Sequence, residues 1–323
     1  MNAWNRIKDS DAGLAYSLSD AMATLELQFP GYLVPVNEGR MIVASDYSGQ
    51  HRQSSHEVYS FLVTTEDEIT QWKHARDVFR KHSMTDGRRM SFKQLRDKVR
   101  ANALPDFLQL GFKLRGNLIS IMVDKRIPSF LSGGLASVRQ LFAGCIPTEA
   151  PHGTAEKMYL LATLQAMIIA GLRQESQEAL WISDSDETLD ENDKREGIAQ
   201  LISYLTFAYT KWRQPAELLF TTTGSSNSPE WAEELAALPD IIAGALCASN
   251  KYLPACFDRK KRHIAVLDSR ELQHRNAGRV LDWLALHGAG ASLRNVLLRL
   301  EVNDAGSIRS SYQFIAGGKL SKA

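Results

Sequence analysis

Three aspartates of this 323-residue chain stand where apolar segments end or helices begin, and carboxylates so placed are the groups that hold a hard divalent cation. Asp46 closes the run Met41-Ile42-Val43-Ala44-Ser45 and is followed at once by Tyr47-Ser48-Gly49. Asp184 closes Leu180-Trp181-Ile182-Ser183, and Asp240 sits between Leu238-Pro239 and Ile241-Ile242-Ala243-Gly244. A fold that gathers the three has the oxygen-rich pocket that Mg²⁺ or Mn²⁺ requires for phosphodiester chemistry. Each acid also has a plainer use. Asp46 suits a turn before Gly49, Asp184 stands at the head of an acidic run that a solvated loop explains, and Asp240 could cap a helix or complement its dipole for about 0.3 to 1 kcal/mol.

Bulk composition bounds the setting. With 44% hydrophobic and 23% charged residues the chain can bury one large core or two smaller ones. The 38 basic residues nearly cancel the 37 acidic ones, so a polyanion would have to be gripped by a local patch rather than drawn by a global field. Cys145, Cys247 and Cys256 are widely spaced and form no C-x-x-C pair, which argues against a disulfide framework or zinc knuckle and predicts a reducing cytoplasm. Lys8, Asp9 and Asp11 interrupt the first residues, so no signal peptide is expected. The run Met158 to Leu172 reads as a buried helix, too short and too interrupted by Thr163 and Gln165 to span a bilayer. Gly133-Gly134 and Gly317-Gly318 belong to no phosphate loop, and the eight histidines form no H-E-x-x-H pair. The basic run Arg259-Lys260-Lys261-Arg262-His263 could hold a phosphate backbone, although solvated surface is its ordinary use.

The elements that must position the acids follow from periodicity. Leu14, Leu18, Met22 and Leu25 predict an amino-terminal helix, and Met41 to Ser45 with Val58 to Val63 predict a hairpin around a polar turn. Helices are expected over Glu66 to His82, from just after Ser91-Phe92-Lys93 to about Asn102, over Leu104 to Leu110, and from Thr154 to about Gln174, with Thr154 as cap. Leu118 to Lys125, Leu180 to Asp184 and Glu217 to Thr222 read as strands. Helices follow over Arg195 to Trp212 and Glu230 to Ala237, and Pro239 is expected to start a new helix carrying Asp240. The closing part holds a strand at Ile264 to Leu267, a helix from Leu272 to Leu286 and a last strand at Val296 to Val302. The expected organisation is an amino-terminal helical appendage (1–32), a core (33–250) and a carboxy-terminal α/β extension packed on it (251–323).

That order resembles the ribonuclease H-like fold, an α/β architecture with a mixed sheet flanked by helices, here with helical additions at both ends. A nearer resemblance is to a bacterial ribonuclease H-like family of unassigned function whose first strand ends in D-E-S-G. The matching words are Asp46-Tyr47-Ser48-Gly49, then Ser91-Phe92-Lys93 for E-x-K, Val123-Asp124-Lys125 for V-D-K, and Pro239-Asp240-Ile241-Ile242-Ala243-Gly244-Ala245 for A-D-x-I-A-G-A. The resemblance covers about residues 38 to 250. It implies a metal-dependent nuclease in which Asp46 bridges two ions about 4 Å apart. Asp184 and Asp240 would each hold one, Glu156 or Asp186 would complete the shell, and Lys93 and Lys125 would contact substrate phosphates. Tyr47 and Ser91 stand where the family carries acids, and fewer carboxylates imply a weaker or altered metal site. The other readings are a catalytically eroded module that binds nucleic acid or a protein partner, and a subunit of a defence or mobile-element system. None of them calls for a membrane.

Overall fold

The computed structural model describes residues 3–130, 134–142, 144–184, 192–211, 217–223, 228–253, 264–267, 272, 274–286, 291–303 and 305–317. In chain order the first half runs α1 (Leu14–Gln28), β1 (Met41–Ser48), β2 (His56–Thr65), α2 (Glu66–Ser83), α3 (Lys98–Phe112), β3 (Gly116–Asp124), α4 (Gly134–Leu141) and α5 (His152–Leu172). The second half runs β4 (Ala179–Ser183), α6 (Asn192–Thr210), β5 (Leu218–Thr222), α7 (Ala232–Ser249), β6 (Ile264–Leu267), α8 (Arg275–Leu286), β7 (Leu293–Val302) and β8 (Ile308–Gly317).

One sheet joins the strands in the order β5-β4-β1-β2-β3-β7-β8-β6. β1, β2 and β3 form an antiparallel meander, β4 pairs parallel with β1, and β5 pairs parallel with β4. The result is a mixed sheet flanked by helices, as expected, with β7 added parallel to β3 and β8 antiparallel to β7. It follows that β1, β3, β4, β5 and β7 all point one way and share a carboxy-terminal edge. In open α/β sheets that edge is where ligands are bound.

The period-2 alternation of a strand decides what lies on each face. Met41 and Val43 enter one core with α1, α4, α5 and α6 residues, whereas Ile42 and Ala44 enter the other with α2, α3, α7 and α8 residues. α5 is apolar almost all round because it is buried against the sheet and its neighbouring helices from Met158 to Leu172. By length and composition it is long and apolar enough to cross a membrane, and most of that stretch is buried inside the protein. The amino-terminal segment adds to the same core: Trp4 is buried, donates its indole N–H to Ser19 Oγ at 3.0 Å, and packs its ring against Gly171 of α5.

Three local expectations are corrected. Pro105 does not divide α3, and Pro239 does not start a helix but lies inside α7. α5 begins at His152, two residues before Thr154, with Pro151 at its cap position. The strand β8 was not expected from sequence. Its signal is Tyr312-Gln313-Phe314-Ile315 bounded by Gly306 and Gly317, and Tyr312, Gln313 and Ile315 are buried.

Candidate active site

Asp46 lies within β1, opposite Ser60 of β2, two residues before the strand ends. Its even register places it on the same face as Ile42 and Ala44, the face that α7 covers. The hairpin turn beyond it requires glycine at position 49. There φ is +92°, and a Cβ would stand 2.3 Å from the His56 carbonyl oxygen. Asp184 is the first residue past β4, which pairs with β1 from Met41↔Ala179 to Ser45↔Ser183, so the two acids share one edge. Asp240 comes from the middle of α7. From Glu234 to Leu246 it is the only residue of that helix not fully buried, so its carboxylate emerges where the helix crosses the edge.

A fourth segment closes the site. The chain between α2 and α3 brings Arg89, Ser91 and Phe92 over the acids. Phe92 donates its backbone N–H to Asp240 Oδ2 at 3.0 Å, and the Ser91 side chain bonds the same carboxylate. Arg89 Nη1 donates to Asp184 Oδ1 at 2.6 Å and to Thr223 Oγ1 at 3.2 Å, and Thr223 Oγ1 donates to Asp184 Oδ1 at 2.5 Å. Arg89 Nη2 stands 3.9 Å from Asp46 Oδ2, and its Nε stands 3.8 Å from Glu233 Oε2. Those two nitrogens are buried and make no hydrogen bond among the described residues. Gly244 makes the approach of this segment to α7 feasible, since a Cβ there would lie 2.3 Å from the Phe92 ring.

The electrostatics follow from crowding acids out of water. Burial, then the charges of Asp240 and Asp184, push the Asp46 carboxyl well above the usual carboxylate range. Burial also raises Asp240, and its hydrogen bonds to Ser91 and Phe92 offset this only in part. Burial alone would lower the Arg89 guanidinium. The hydrogen bond and charge of Asp184, with the charges of Asp46 and Asp240, hold it above its ordinary value. Four carboxylates, Glu233 among them, thus share one guanidinium as counter-ion. Among the described residues no group of three or more His, Cys, Asp or Glu stands close enough to hold a metal ion as the site is arranged.

The sequence-derived residues separate into two sets. Asp46, Asp184 and Asp240 come together, and Lys93 is exposed beside them on the wall of an adjoining recess. Glu156 does not join them. It belongs to α5 on the opposite face of the sheet, where Oε1 accepts from Ser129 Oγ at 2.7 Å and from the Phe130 N–H at 3.3 Å. Lys125 also lies apart: its Nζ donates to the His51 carbonyl at 2.9 Å, and it lines a cavity with Glu156. Asp186 and the basic run 259–263 lie outside the described residues. Arg89 is the residue that sequence reasoning missed. It sits in a polar link, Thr85-Asp86-Gly87-Arg88-Arg89, where no spacing or neighbouring residue sets it apart from Arg88.

No family model and no curated protein matches the chain. Among solved structures, ribonuclease H2 from Pyrococcus horikoshii OT3 is similar over 62% of this chain and 71% of that chain, at 13% identity and a TM-score of 0.32.

Proposed function

We propose that the chain is a divalent-metal-dependent nuclease that hydrolyses phosphodiester bonds at the carboxy-terminal edge of its sheet. One observation carries this reading: Asp46, Asp184 and Asp240, from β1, the end of β4 and α7, converge around the segment that carries Arg89 and Phe92, and the charges of Asp240 and Asp184 raise the proton affinity of Asp46. The donor set is all oxygen, which Mg²⁺ and Mn²⁺ prefer, and crowded negative charge is what such a cation relieves. Asp46, Asp184 and Asp240 would hold the cation, which when bound supplies Lewis-acid charge at the phosphoryl group. The protein's own groups prepare the rest. Ser91 and the Phe92 N–H orient Asp240, and Thr223 orients Asp184. Arg89 is the counter-ion of the acids, and with a cation held by the acids its Nε and Nη2 donors would suit a phosphodiester oxygen in the forked geometry of guanidinium–phosphate pairs.

The test is cleavage of labelled single- and double-stranded DNA, RNA and hybrid with Mn²⁺, Mg²⁺ or EDTA, comparing wild type with Asp46→Asn. Metal-dependent cutting lost in the variant supports the proposal. Absence of cutting on every substrate, by folded protein that binds no Mn²⁺, removes it.

A second reading has its own observation. The 2.6 Å pair between Arg89 and Asp184 gives the acid edge a resident cation, as a catalytically eroded module that binds nucleic acid or a protein partner would have. Ser91 in place of the family's acid points the same way. Mn²⁺ titration separates the two readings, because the eroded module leaves Arg89 in place and takes up no metal.

A further inference from the structure

Beside the acids lies a recess of about 480 Å³ whose lining includes Lys93, Arg96 and Lys251, the imidazoles of His51 and His274, and no carboxylate. Three other cavities among the described residues mix signs. The one at Arg76, Arg80 and Lys81 also holds Asp77, Glu230 and Glu233. The one at Arg52, Lys125 and Lys157 holds Glu57, Asp124 and Glu156, and the one at Arg126 and Arg299 holds Asp124 and Glu301. In a chain whose net charge is only +1, this one-signed recess is the local patch that a polyanion needs.

The recess adjoins the acid cluster through shared neighbours. Ser48 lines it and is the next residue after Asp46 on the same face of β1. Gly244 lines it and is one helical turn beyond Asp240 on α7. Phe92 lines it with its ring while its N–H holds Asp240. That ring stacks on His274, with centroids 5.1 Å apart at 26°, so the wall combines flat rings with cations. Lys93 and Arg96 form no ion pair among the described residues and are exposed.

We infer that this recess is a backbone-binding channel for a single nucleic-acid strand, which leads one of its phosphates to Asp46, Asp184 and Asp240. The inference rests on the nuclease reading for what happens at the acids, but the binding itself needs no metal. Cations that follow the phosphates, with rings for the bases, are how single strands are held without sequence preference. A recess of this volume has the size of a small-ligand pocket, which suits a short stretch of one strand better than the full width of a duplex.

The experiment is fluorescence anisotropy of labelled 12-nucleotide single-stranded DNA, single-stranded RNA and duplex DNA with the wild-type chain in EDTA, over a range of salt. The comparison proteins are Lys93→Gln/Arg96→Gln and, as control, Arg52→Gln/Lys157→Gln. Single strands should bind more tightly than duplex. The first double variant should lose about tenfold or more in affinity, and the slope of log K against log salt should shrink by about 1.4, or 0.7 per lost phosphate contact. The control pair should leave both unchanged. Duplex bound as tightly as single strand, equal effects of the two double variants, or no strand bound at low salt would each overturn the inference. Metal-dependent cleavage without this binding pattern would sink the channel and leave the nuclease standing. Salt-dependent strand binding without cleavage would do the reverse.

Discussion

The residue that most changes the picture of this site is Arg89, because it places a fixed positive charge among acids that would otherwise repel one another. Replacing it leaves Asp46, Asp184 and Asp240 without their shared counter-ion. Arg89 is mostly buried but Asp184 is more than a third exposed, so breaking the pair from one side costs less than the roughly 3 to 5 kcal/mol of a fully buried pair. Arg89→Ala is therefore expected to lower the melting temperature in EDTA, and Mn²⁺ is expected to restore more of it in the variant than it adds to wild type. Thermal denaturation with and without metal reads both effects. Asp46 yields a pH prediction. Its folded carboxyl holds a proton more tightly than the unfolded one, so the folded state binds more protons above the ordinary value of 3.8. Stability is then lost as pH rises through the raised value. In EDTA the melting temperature of Asp46→Asn relative to wild type should climb as pH rises from about 4 toward neutrality; a flat difference would count against the burial and crowding that set the shift. Sequence pointed to the three aspartates because each ends or interrupts an apolar run. It could not point to Arg89, whose importance comes from where the link between α2 and α3 lies.

At the scale of elements, α7 and the segment carrying Phe92 are built for one another. A proline inside a helix costs about 3 kcal/mol, yet α7 continues through Pro239, with burial of nearly every residue from Glu234 to Leu246 offsetting that cost. Continuity puts Asp240 and Gly244 on one face, and Gly244 lets the Phe92 ring lie against the helix backbone. Gly244→Ala is expected to destabilise the protein by about 1 to 3 kcal/mol through overpacking. It should also reduce metal-dependent cleavage more than its stability loss explains, since the displaced Phe92 N–H no longer holds Asp240. Urea denaturation and cleavage rates on the same preparation separate these effects. Periodicity located most helices and strands, but it divided α3 before Leu104 and started a new helix at Pro239, whereas both helices continue. Whether a helix bends, breaks or continues at proline depends on what packs against it, and that information is tertiary.

For the whole molecule, the sheet is the unit of stability. β7 pairs with β3 over eight residues, from Gly116↔Leu293 to Val123↔Leu300, and β3 is buried along its full length. A fragment ending at residue 250 would expose that strand's hydrogen-bonding edge and the α7 surface that α8 covers. It is expected to aggregate or to unfold without cooperativity, whereas the full chain should melt in one transition by circular dichroism. A soluble, cooperatively folded fragment would show instead that residues 251–323 are a separable addition. The near-zero net charge acts at this scale too, since association with a polyanion then depends on the local cationic recess and falls steeply with salt.

Local information in the sequence determined the alternating strands, the buried character of α5, the order of elements that resembles a ribonuclease H-like sheet, and three acids that end or interrupt apolar runs. These are properties of neighbours in the chain, where periods of 2 and 3.6 residues and turn chemistry leave a direct trace. The tertiary structure decided which acids meet. Glu156 and Asp46 are both plausible ligands in one dimension, but they lie on opposite faces of the sheet, because strand parity sends Asp46 toward α7 while α5 covers the other side. It also decided that Lys93 and Lys125 line different cavities, and that an arginine from a featureless link becomes the counter-ion of the site. Such contacts join residues far apart in the chain. Their energies depend on distance and burial, which no local pattern encodes.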